Sequence, residues 1–121
     1  MKTRLSLAVL AGLMFTLGGM LTARGDAKDV SVTGEVIDTY CYATMGAKGE
    51  GHRSCGIECA KKGIAVGLLE EKTDKVYVLL PNKDKGTLPD AVIDKMGRKA
   101  TITGHTYMSG GSQFLTVESV K

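Results

Sequence analysis

The segment Arg98–Val120 reads "RKATITGHTYMSGGSQFLTVESV". Its runs "RKATITGHTY" and "QFLTVESVK" have the composition of β-strands, and "MSGGS" supplies the turn residues of a hairpin between them. It looks like the last hairpin of a small β-barrel. Upstream, "LPDAVIDKMG" (Leu88–Gly97) reads as a short helix. Pro89 suits the first turn, Val92, Ile93 and Met96 give the apolar spacing, and Gly97 ends it. Before that, "IAVGLLE" and "KVYVLLP" are β-rich runs joined by a polar turn at Thr73-Asp74. The first run of the pattern, "VSVTGEVIDTYCY" (Val30–Tyr42), alternates Val30, Val32, Gly34 and Val36 on one side. Ile37 breaks that alternation, which predicts a bulge beyond Gly34.

The order is therefore strand, insert, strand, strand, short helix, strand, strand. This predicts a mainly β chain: a five-stranded OB-like barrel, with a Cys/His-bearing loop-helix insert (residues 43–63) after the first strand and a short helix between the third and fourth. Another small barrel or an open meander is the alternative topology.

The insert and its approach hold all three cysteines of the chain, Cys41, Cys55 and Cys59, together with His52. "ATMGAKGEG" is too glycine-rich for regular structure and is expected to be a loop. "HRSCGIECAKKG" fits a helix ending at Gly63, with Lys61 and Lys62 near its negative end. On that helix, offsets of three and seven bring His52, Cys55 and Cys59 to nearly one face. Cys41 arrives from the end of the first strand. Gly56 weakens the helix by up to roughly 1 kcal/mol, so the insert is expected to owe its order to whatever the site binds.

A Cys₃His set of this kind suits tetrahedral Zn²⁺, and soft thiolates also suit Cu(I). A second reading bonds Cys41 to Cys55 or Cys59 and leaves one thiol free or redox-active, as in a thiol–disulfide protein or a disulfide staple on a partner-binding barrel. A third makes the cysteines small buried hydrophobes. The odd count rules out complete pairing within one chain. No CxxCH is present for covalent haem. A blue-copper set would have to recruit His105, which reads as a surface strand residue, and Met45 or Met108. Tyr40 and Tyr42 flank Cys41 and read as rim packing, as do Tyr77 and Tyr107 on their strands. Asp38 and Glu58 are near enough to reach the site from outside the ligand set. Ser54 lies beside Cys55 but has no GxSxG elbow and no orienting partner, so no catalytic residue is assigned.

The N-terminus, "MKTRLSLAVLAGLMFTLGGMLTARGDA", has Lys2 and Arg4 before an apolar stretch, Leu5–Leu21, and then small residues at Ala23, Gly25 and Ala27. That is the pattern of a cleaved signal peptide over residues 1–27, leaving one domain, 28–121, outside the cytoplasm. An uncleaved membrane anchor is the alternative. Removing Lys2, Arg4, Arg24 and Asp26 from totals of 16 basic and 13 acidic residues leaves 13 and 12, a net charge of +1. This is not the footprint of a nucleic-acid binder. The expected partners are a metal ion and another exported protein, with no nucleic acid and a membrane only through an uncleaved leader.

The run "GEVIDTYCY…GH…C…CAKKGIAVGLL…KVYVLL" resembles a group of small exported bacterial proteins with an OB-like barrel and a Cys/His-rich insert after the first strand. The resemblance implies location and architecture, not an activity. Its site residues here would be Cys41, His52, Cys55 and Cys59.

Intact-mass measurement of the exported form checks the leader. Loss of residues through Gly25 or Ala27 is expected, and recovery of Met1–Arg24 in a membrane fraction would contradict cleavage.

Overall fold

β1 (Lys28–Asp38), the first element of the computed structural model, which describes residues 28–121, is long enough at eleven residues to pair twice. Lys28–Glu35 runs antiparallel to β4 (Lys99–Ser109), and Gly34–Asp38 runs antiparallel to β2 (Val66–Glu70). β2 pairs with β3 (Val76–Pro81), β3 runs parallel to β5 (Ser112–Val117), and β5 returns antiparallel to β4. The circuit β1-β2-β3-β5-β4-β1 closes a five-stranded barrel, as the sequence predicts. The signal-peptide expectation falls on residues 1–27 and lies outside the described residues.

Gly34 takes part in both ladders, opposite Glu70 and Ala100. A Cβ there would lie 2.1 Å from the Leu69 carbonyl oxygen, so only glycine lets the strand cross this closely between its two partners. Alternate residues point inward: Val32 and Val36 meet Val66, Leu68, Leu79, Ala100, Ile102, Leu115 and Val117 in one core. Between β3 and β4 the helix α3 (Asp90–Ile93) and the turn after it send Val92 and Met96 into the end of that core. Met96–Arg98 then lies along β1, with the Gly97 N–H donating to the Val36 carbonyl at 2.8 Å and the Val36 N–H to the Arg98 carbonyl at 3.1 Å.

Three local expectations are corrected. The bulge beyond Gly34 does not form, because both β1 ladders run without an inserted residue and Ile37 is buried on the opposite face from Val36. The first strand stops at Asp38, and Thr39–Met45 is a helix, α1, so Cys41, Tyr40 and Tyr42 are helical. The final run breaks at Glu118. The parallel ladder with β3 ends at the Pro81–Val117 pair, where proline has no N–H to continue it, and a two-residue β6 (Ser119–Val120) pairs with β4 instead.

Gly34→Ala is expected to cost about 3 kcal/mol or more, because the contact is with backbone that cannot swing aside. Gly51→Ala, into open space at an ordinary φ, is expected to stay within roughly 0.5 kcal/mol. Urea denaturation of the two variants measures the difference.

Candidate metal centre

The site begins with the side chain of Asp38, which is fully buried. Its backbone is still extended, and one carboxylate oxygen, Oδ1, accepts from the Cys41 N–H at 2.8 Å, capping α1. The other, Oδ2, accepts from His52 Nε2 at 2.6 Å. His52 closes a short 3₁₀ turn (Glu50–His52) and leads directly into α2 (Arg53–Lys61). A buried carboxylate is tolerated because both oxygens have partners.

α2 is placed by its neighbours. Arg53 Nη1 donates to the carbonyls of Asp94 and Met96 at 2.7 and 2.8 Å. Gly56 is buried against Met96: a Cβ there would lie 2.8 Å from Met96 Cγ and 3.6 Å from Asp38 Oδ2. The residue that the sequence marks as a weakness is thus the contact by which the helix docks. The loop before α2 is clipped as well, by the Gly49 N–H to the Glu35 carboxylate and by Arg98 to Glu50 at 2.7 and 2.8 Å. Protein groups therefore help to hold the insert in place, beside whatever the site binds. Gly63, at positive φ just past the end of α2, stops the helix as expected, with the Ile64 N–H on the Cys59 carbonyl and the Gly63 N–H on that of Ala60, both at 3.0 Å.

This docking faces Cys55 and Cys59, one turn apart on α2, toward Cys41 on α1. The three Sγ atoms lie within 4.8 Å of one another. Thiolates sharing one ion at about 2.3 Å would lie roughly 4 Å apart, so little adjustment is needed. Exposure is graded: Cys41 is buried, Cys59 half-buried and Cys55 exposed, and all three are free thiols. Asp38, Cys41 and His52 form a second set within 4.8 Å. The four expected residues are thus together, but as two overlapping triads that share Cys41. Asp38 belongs to the second triad. Its position one residue before "TYC" is a capping signal that alternation along the first strand conceals.

The electrostatics follow from this crowding. Burial pushes the Asp38 pKa up, but the Cys41 N–H, the His52 ring and the Cys41 thiol together hold it below its usual value. Burial, the Asp38 charge and its hydrogen bond, and the two neighbouring thiols push Cys41 up to about 12. Cys59 is raised too, by burial first and then by Asp38 and Cys55. A cation in the thiol triad would favour the thiolates against the burial and neighbouring negative charge that keep these groups protonated. His105 is not part of either set: its Nδ1 lies 2.6 Å from Asp29 Oδ1, off hydrogen-bonding geometry, and its Nε2 3.0 Å from Glu118 Oε1 on the barrel wall. Ser54 and Glu58 are exposed on α2.

Asp38→Ala is expected to destabilise the protein by about 3–5 kcal/mol, since it leaves His52 and the α1 N-terminus without their partner. Asp38→Asn, which keeps a capping oxygen, is expected to cost less. Because the folded-state pKa of Asp38 is depressed, its charged form stabilises the fold above the ordinary value of 3.8, and that contribution is lost as pH falls below it. Urea titrations should therefore show the wild-type advantage over Asp38→Asn at neutral pH shrinking in acid. No protein-family model matches this chain, nor does any curated protein or solved structure, so the reading of its function rests on the chemistry of this site.

Proposed function

We propose that this is an exported domain that binds a transition metal, Zn²⁺ or Cu(I), through Cys41, Cys55 and Cys59. The observation that carries the reading is the meeting of three sulfur atoms from two helices within coordination range of a common point. In the zinc form His52 is the fourth donor, its ring oriented by Asp38 in the manner of a carboxylate–histidine–metal relay. In the copper form the thiolates suffice. The leader's charge and hydropathy pattern supports export, and the mature charge of +1 supports a partner other than nucleic acid.

A thiol–disulfide function is the second reading, favoured by the exposure of Cys55 beside two further thiols. Cys55 and Cys59 stand four apart on one helix and are poorly placed to bond to each other, so a disulfide would run from Cys41 to one of them.

Elemental analysis with a parallel thiol count separates the two readings. The metal reading expects one ion per chain and three thiols that alkylate only after chelation, under anaerobic conditions without reductant. In the chelated protein Cys55 should react first and Cys41 last, given its burial and a pKa of about 12. Metal binding should weaken as pH falls, because protons compete for the thiolates. A single reactive thiol in both chelated and untreated denatured protein would establish the disulfide instead.

A further inference from the structure

Resting on the metal reading above, we infer that the ion is Cu(I), held in an all-sulfur site whose outermost donor is the thioether of Met45. The donor sets point this way. A tetrahedral zinc site needs four donors around one centre, yet among the described residues the set that holds all three sulfurs, mutually within 4.8 Å, has no fourth member. His52 is outside that triad and belongs instead to the set with Asp38 and Cys41. What the protein gathers at one point is sulfur, a soft donor set that suits monovalent copper.

Met45 supplies the second observation. It lies one turn beyond Cys41 on α1, so the two share a helical face. Long side chains on a helix lean toward its N-terminus, which directs the reach of Met45 over the turn that carries Cys41. Yet Met45 is 67% exposed, a large flexible side chain that the core does not use. A thioether is a soft neutral donor suited to Cu(I), whereas zinc draws on thiolate, imidazole and carboxylate. With Cys41 buried and Cys55 and Met45 outside, the sulfurs form a graded path from solvent to interior. The ion enters and leaves on the Cys55–Met45 side.

The test is competition between purified protein and a chromogenic Cu(I) chelator under anaerobic, reducing conditions, with a matching zinc titration. Wild type is compared with Met45→Leu and with Met108→Leu, which alters the exposed methionine on β4. Leucine conserves volume at an exposed position, so folding is not at issue. Met45→Leu should lower Cu(I) affinity roughly tenfold, the scale on which a supporting contact at a metal site acts, and leave zinc affinity unchanged. Met108→Leu should change neither. X-ray absorption of the copper form should show a sulfur-only shell. Equal Cu(I) affinity in wild type and Met45→Leu, or a nitrogen in that shell, overturns this inference while leaving the metal reading standing. Wild-type protein that binds neither ion stoichiometrically overturns both.

Discussion

The buried carboxylate of Asp38 is the interaction on which the rest of the insert depends. It ends β1, starts α1 and receives His52, so one side chain sets the direction of the chain at three places. α1 has seven residues, too few to be stable alone, and its first turn needs an external acceptor. The acceptor that caps it is also the anion that fixes the start of α2. Cys41 thus reaches the thiol cluster because its own backbone N–H is held by the carboxylate whose charge its thiol faces. Structure and electrostatics at this point run through one side chain.

The barrel was legible because its signals are local and repeated. Period-two alternation, the Gly110-Gly111 hairpin turn with both residues at positive φ, and Val92 and Met96 at helical spacing each name an element without reference to its neighbours. The extra pairing of β6 depends on where Pro81 stops the parallel ladder, which no nearby residue reports. The end of β1 was hidden for a different reason. "IDTYCY" continues a strand-like composition, and a single hydrogen bond from the Cys41 N–H to the Asp38 side chain decides against it. Gly56 reads as a cost when only helix propensity is considered. Its value as a contact surface for Met96, forty residues further on, belongs to the tertiary structure.

The site was legible as a list of residues, since three cysteines and a histidine so close together invite a common role. How they divide was not. Helical periodicity places His52, Cys55 and Cys59 on one face, but it carries no information about the carboxylate that engages the imidazole. An OB-like barrel adds nothing to the choice of chemistry, because that architecture serves many unrelated functions. What it contributes is a rigid rim: the clips from Arg53, Glu35 and Arg98 fasten a short, glycine-rich insert to strands and turns that are already fixed.

The double pairing of β1 also sets an order in time. Its first residues pair with β4, which follows the insert, β2, β3 and α3 in the chain, so the barrel cannot close until that strand has been made. Cys41, Cys55 and Cys59 all leave the ribosome long before that partner does. For this interval Cys41 lacks the enclosure it has in the finished fold, and three adjacent thiols are open to oxidants and to stray metal alike. In the finished fold the gain is unequal: Cys41 becomes enclosed, whereas Cys55 stays exposed.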